Sequence, residues 1–364
     1  MSSVRTGAER LTADPGLAGG GRLGLITNPT GVLPDLTPTV DALLAAKAPL
    51  VALFGPEHGV RGTAQAAGSE PDTVDPRTGL KVYDTYQTDA DKVLAESGVD
   101  TLLFDIADVG ARFYTYVWTM YDLMQAAARQ NVRFVVLDRP NPLGGEVAEG
   151  PLLDTAFASF VGRFPLPVRH GKTVGELALE FDLGAEVIPM EGWRRHMRYS
   201  DTGLPWVMPS VNMPTEDTAL VYPGTGLFEG TNFSEGRGTT RPFELVGAPY
   251  VDERFAPALN ALGLAGVRFR ETWFTPTFHK HAGVAVRGVQ VHVTDKSVFR
   301  PVLTGLSMLH VARTLYPDDL AWWGPELFLD HLWGSDSLTR CLDAGQDPRE
   351  LCPAPSQPGG RLLY

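Results

Sequence analysis

Four short apolar runs, each broken by a polar turn at its carboxyl end, constrain the fold of this chain most. Residues 23–27 run into Asn28-Pro29-Thr30-Gly31, and 49–54 into Gly55-Pro56-Glu57-His58-Gly59. Residues 99–104 run into Asp105-Ile106-Ala107-Asp108, and 132–137 into Asp138-Arg139-Pro140-Asn141. Such apolar runs belong to strands covered on both faces, and helical spacing at 41–47 and 117–129 supplies the cover. The fold class expected is α/β, with a Rossmann-like, mostly parallel sheet. Ligands of open α/β sheets bind beyond the carboxyl ends of the strands. In all four units the polar residues fall there.

At 364 residues the chain exceeds what one core usually serves, so two domains are expected. A further strand and loop at 167–173 leads into helix 174–182, with Thr173 and Glu176 spaced as a capping box. Apparent strands at 185–190 and 206–214 follow. Beyond residue 245 helix-like 251–262 and 301–315 flank a strand-like 284–293, the pattern of a smaller α+β domain. The division expected is 1–237 for the Rossmann-like catalytic domain and 238–364 for a domain closing the cleft.

A net charge of −12 argues against nucleic acid as the main partner. No apolar run reaches the roughly 18–20 residues that cross a bilayer, so no membrane span is expected. The first ten residues hold no apolar h-region. That points to the cytoplasm, or to an extracytoplasmic site if a leader has been removed. Cys341 and Cys352 lack metal-ligand spacing and are free to pair. Neither a G-x-G-x-x-G after the first strand nor a Walker loop is present, so no nucleotide cofactor is expected.

Chemistry concentrates in residues 228–244, where Glu229, Glu235, Glu244, Arg237 and Arg241 stand among Asn232, four hydroxyls including Thr239, and three glycines. Glycine lets backbone turn sharply and approach a ligand, so the segment reads as the wall of a cleft for a polar ligand such as a sugar. A solvated loop tip is the bland alternative. Glu57 and His58 sit at a strand end, and a glutamate desolvated in a cleft serves as a general acid. Asp105 and Asp108 hold a base and its partner, or join His58 around a cation, though no tight ligand spacing supports a metal. If residues 111–116 are extended, Arg112, Tyr114 and Tyr116 share one face, a clamp beside flat rings. Packing in the core is their simpler reading. Asn28, Asp138, Arg139, Asn141, His170 and Asn212 complete the strand-end candidates, a structural turn being the competing role for Asp138, Arg139 and Asn141. Several carboxylates with aromatics, without a nucleophile elbow or a Cys–His pair, suit glycoside hydrolysis.

These loops resemble one family over most of the chain: GLITNPTGV (24–32), LFGPEHGVRG (53–62), FDIADVGARFYTY (104–116), LDRPNPLGG (137–145), RHGKTVGELA (169–178), MPSVNMPT (208–215) and YPGTGLFEGTNFSEGRGTTRPFELVGAP (222–249). They are similar to bacterial exo-β-N-acetylmuramidases of the NamZ type. The resemblance implies a cleft between the two domains and release of non-reducing N-acetylmuramic acid from peptidoglycan fragments. It places the leading catalytic glutamate on Glu57, aided by His58, and the family's acidic segment on Glu235, Arg237 and Thr239. Asp105, Asp108 or Glu235 is then the second carboxylate, unless the substrate's acetamido group takes that part. Arg112, Arg139 or Arg237 would clamp the lactyl carboxylate. A non-catalytic muropeptide-binding protein is the rival. Ala107 stands where glutamine is expected, and Val211 where proline is.

Overall fold

The computed structural model describes residues 4–65, 68–324 and 327–364. In chain order the first strands are β1 (Leu23–Thr27), β2 (Leu50–Gly55), β3 (Thr73–Val74), β4 (Lys81–Asp84), β5 (Thr101–Asp105) and β6 (Arg133–Leu137). Then come β7 (Glu149–Leu152), β8 (Pro167–Arg169) and β9 (Glu186–Ile188). Seven of them form the main sheet in the order β3-β4-β2-β1-β5-β6-β9. Every neighbouring pair is parallel except β3 with β4. The four strands read from the sequence lie within a residue or two of their expected places.

Side chains of a strand alternate between faces, and both faces are covered here. Ile26, Phe54, Leu102, Phe104 and Val136 enter one core, while Leu23, Leu25, Leu53, Leu103 and Val135 enter another. That double cover is why the runs are apolar without alternation. The helix Val174–Phe181 begins on the expected capping box, Thr173 accepting from the Glu176 N–H and Glu176 from that of Thr173.

Two expected strands differ. The 167–173 segment gives only β8, paired antiparallel with β7 outside the main sheet. It starts on Pro167, whose missing N–H disfavours a central position. The 206–214 stretch is irregular loop, because Pro205, Pro209 and Pro214 interrupt any ladder.

The second part holds β10 (Leu245–Ala248), β11 (Val267–Phe274) and β12 (Val286–Val293) in an antiparallel sheet of order β10-β12-β11. Helices Phe255–Ala261 and Pro301–Leu315 accompany it. Val289, Val291, Leu306 and Leu309 belong to the same apolar cluster as Phe54 and Phe104, so one continuous core runs through both regions. The end of the chain runs back to the parallel sheet, where the Tyr364 hydroxyl donates to Asp138 Oδ2 at 2.7 Å. Both cysteines are free thiols. Among the described residues no helix is long and apolar enough to cross a membrane.

Candidate active site

The turn after β2 builds part of the wall of a cavity rich in aromatic residues. His58 and Gly59 both adopt left-handed backbone, with φ of 70° and 81°. A Cβ at Gly59 would fall 2.2 Å from the Glu70 carboxyl carbon, so glycine is required there. The His58 strain, about 1–2 kcal/mol for such a residue, is held by its own bonds: the N–H donates to Gly68 O at 2.9 Å, and Nδ1 lies 2.8 Å from Ala64 O. This tight reversal delivers Glu57 into a cavity of about 470 Å³, within the roughly 300–1,000 Å³ range of small-molecule sites. Thr115 Oγ1 donates to Glu57 Oε2 at 2.5 Å.

Aromatic residues surround that carboxylate. Tyr86, Tyr114, Tyr116 and Tyr222 line the cavity. Burial, and secondarily the Glu57 charge, pushes Tyr86 up to about 12, so its hydroxyl stays a donor. Burial likewise raises Tyr114 and Tyr222 well above the usual range for tyrosine. Asn212 also lines the cavity; it is 5% exposed and its Nδ2 has no hydrogen-bond partner. A buried donor left unpaired costs about 1–3 kcal/mol, and a polar ligand would satisfy it.

A charge cluster rooted in residues 228–244 also borders the cavity. Arg237 Nη2 lies 3.0 Å from Glu229 Oε2, and its Nε lies 3.3 Å from Glu235 Oε1. Lys280 Nζ is 3.0 Å from Glu235 Oε2 and donates to the carbonyls of Phe228 and Glu229. His279 Nδ1 sits 3.3 Å from Glu235 Oε1. Only Glu229, Arg237 and His279 of this cluster face the cavity. Glu235 is fully buried behind them. Burial works against its charge, but Lys280, His279 and Arg237 outweigh that and hold it well below the usual carboxylate range. Glu229 moves the other way: burial, reinforced by Glu235, raises it despite Arg237. Arg237 keeps its charge because its two glutamates outweigh burial.

Of the residues singled out from the sequence, Glu57, His58, Tyr114, Tyr116, Asn212, Glu229 and Arg237 therefore meet in one cavity, with Glu235 immediately behind. The others do not. Asp105 is buried in a bidentate pair with Arg139, at 2.6 and 2.9 Å. Asp108 Oδ2 accepts from the Gly110 N–H and from His170 Nε2, while His170 Nδ1 accepts from the Lys172 N–H. These separate pairings also dismantle the proposed cation trio of His58, Asp105 and Asp108. Asp138 receives the N–H groups of Arg139 and Gly175 and the hydroxyls of Thr173 and Tyr364. Asn141 bonds Leu143 N–H and Lys172 O, and Asn28 bonds Thr30 and Pro209 O. Each is a turn-former, as short polar side chains at strand ends commonly are.

Arg112 was expected beside Tyr114 and Tyr116. Residues 111–115 form turns rather than a strand, and the helix Tyr116–Gln130 follows at once. Alternation fails, and the fully buried guanidinium donates to the carbonyls of Pro151, Leu166, Leu332 and Trp333. Asn232 pins the loop that carries Trp323, through Asp319 O and the Ala321 N–H. Thr239 lines a neighbouring groove instead of the cavity. The crevice where strand order reverses, between β1 and β5, offers only about 20 Å³ beside Asp108 and Arg139, room for about one water. Ala107 lines that crevice and not the cavity.

Sequence reasoning missed Tyr86, Thr115, His279, Lys280 and the rim aromatics Phe160 and Trp323. His279-Lys280-His281 was the available signal, three basic side chains in succession after a strand.

Sheet and cleft together define a Rossmann-like α/β protein with a cavity lined by two glutamates and a set of aromatic rings. The chain belongs to the exo-beta-N-acetylmuramidase NamZ family: the N-terminal family model matches residues 23–217 and the C-terminal model 220–356. It is 48% identical over 352 residues to the peptidoglycan beta-N-acetylmuramidase NamZ of Bacillus subtilis, covering 94% of this chain and 85% of that one. Crystal structures of two DUF1343 family proteins from Bacteroides fragilis resemble it. One has a TM-score of 0.87 at 36% identity, covering 96% of this chain and 94% of its own. The other has a TM-score of 0.76 at 30% identity, covering 96% and 93%.

Proposed function

We propose that this protein is an exo-β-N-acetylmuramidase, hydrolysing the bond between a non-reducing terminal N-acetylmuramic acid and the next sugar of a peptidoglycan fragment. The observation that carries this reading is that Glu57 and Glu229 both line one aromatic cavity, which supplies the pair of carboxylates that glycoside hydrolysis uses. The 48% identity to a peptidoglycan beta-N-acetylmuramidase supports the substrate class. Glu57 is the proton donor to the glycosidic oxygen. Glu229 is the second carboxylate: burial makes it more basic than an ordinary glutamate, and Arg237 preserves its charge, which suits it to activate water. Asn212 and the tyrosine hydroxyls orient the sugar. Incubation with a MurNAc–GlcNAc fragment tests the reading directly. Free N-acetylmuramic acid should appear with wild type and be lost in Glu57→Gln. Saturable binding without release selects a muropeptide-binding protein instead.

Of the three arginines considered for the lactyl carboxylate, only Arg237 reaches the cavity, with His279 beside it. Arg237→Met should raise the inhibition constant of N-acetylmuramic acid much more than that of N-acetylglucosamine. Equal changes for both sugars would exclude the clamp.

The same variant tests the base. Arg237 pulls the Glu229 carboxyl down, so removing it lets burial push that group higher. A base acts only when deprotonated, so the acidic limb of kcat/KM should move to higher pH. A limb that stays in place or moves down would remove Glu229 from this role.

A further inference from the structure

A groove of about 730 Å³ adjoins the cavity, with Gln65, Asn212 and Phe278 lining both. Its own walls are Thr239, Thr240, Thr275 and Thr277, with the indole of Trp273. Among the described residues no charged side chain lines it. Hydroxyls beside an exposed aromatic face match a neutral, polyhydroxylated ligand and offer nothing to the charges of a peptide stem.

Local structure makes this groove rigid. Gly238 has φ of 78°, and a Cβ there would lie 2.7 Å from the Thr277 backbone nitrogen. The Thr277 N–H and Oγ1 both donate to Gly238 O, at 3.0 and 2.9 Å, clasping the two threonine-bearing loops together. Trp273 shares the strand face of Val267 and Phe269, which are buried. β11 runs on past the core, however, and leaves the indole 62% exposed. The Arg287 guanidinium lies 5.4 Å from its ring and is itself held by Glu271 and Glu253. The stacked Phe160 and Phe328 rings line only the cavity.

We propose that the groove binds the sugars on the reducing-end side of the scissile bond, so a glycan chain lies along it with only its terminal residue inside the cavity. The inference rests on the glycosidase reading for the direction of the chain, and on the groove itself for a neutral saccharide as occupant.

Trp273→Ala tests it by comparing kcat/KM on a peptide-free glycan of four or more sugars with that on nitrophenyl N-acetylmuramide, which reaches the cavity alone. The ratio of long to short substrate should fall about tenfold, carried by KM, as expected for loss of one aromatic contact. An unchanged ratio would overturn the proposal. If wild type cleaves neither substrate, the glycosidase reading fails by itself. Calorimetry of the same glycan against wild type and Trp273→Ala then decides the groove: weaker binding by the variant supports it, and equal binding ends it. An unchanged melting temperature verifies that the variant is folded.

Discussion

Glu57→Gln should lower kcat/KM on a MurNAc–GlcNAc fragment by about 10²–10⁴-fold, the usual worth of a positioned proton donor. Glutamine preserves the shape of the side chain and still accepts from Thr115 Oγ1, so melting temperature should hardly move. The departing GlcNAc hydroxyl is a poor leaving group and needs its proton. A nitrophenolate does not, so the same variant should lose far less on nitrophenyl N-acetylmuramide. Glu229→Gln removes the other role and should penalise both substrates alike. The contrast between the two variants assigns the parts. Equal losses for Glu57→Gln on both leaving groups would show that Glu57 acts otherwise than as an acid, and no loss on either would remove it from the chemistry.

The parallel sheet was legible because double burial writes itself into sequence as unbroken apolar runs. Short edge elements leave a weaker trace: β4 buries only Val82 and Tyr83, too short an apolar run to mark a strand. The place of Glu57 in the cavity was legible because its turn follows the carboxyl end of a strand, where α/β sheets bind ligands. Asp105, Asp108, Asp138, Asn141 and His170 also follow strands and carry polar groups, yet these are bonded to backbone and to neighbouring side chains. Sequence places polar groups at the mouth of a sheet; which of them face outward depends on the loops packed above. Here residues 204–209 cover the β1–β5 crevice and leave the cavity over β2 open. The family resemblance points to the glutamate-rich segment, whose inner member, Glu235, is buried behind the cavity wall. Glu229, six residues earlier, reaches the ligand space. Lys280 lies 45 residues from Glu235, a separation at which no local pattern betrays a pair.

That buried pair carries the largest expected effect on stability. Lys280→Met should destabilise the protein by about 3–5 kcal/mol, because it strips the nearest cation from a carboxylate with no exposed surface. It also removes a hydrogen bond from each of the Phe228 and Glu229 carbonyls, although Phe228 keeps those from the Thr231 N–H and hydroxyl. The midpoint of urea unfolding measures the loss. Its pH dependence gives an independent check. Glu235 is depressed in the folded state, so its contribution is present above the pKa of an unfolded glutamate and fades as pH falls through the folded value. Removing Lys280 relaxes that depression, and the gap between wild type and variant should narrow as the solution is made acidic. Replacing both partners, Lys280→Met with Glu235→Gln, removes the stranded charge and should recover part of the loss, a coupling that the double-mutant cycle reads directly. A single variant as stable as wild type, or a double variant whose loss equals the sum of the singles, would show that Arg237 and His279 suffice to hold Glu235. The wall that presents Glu229 would then stand without its lysine.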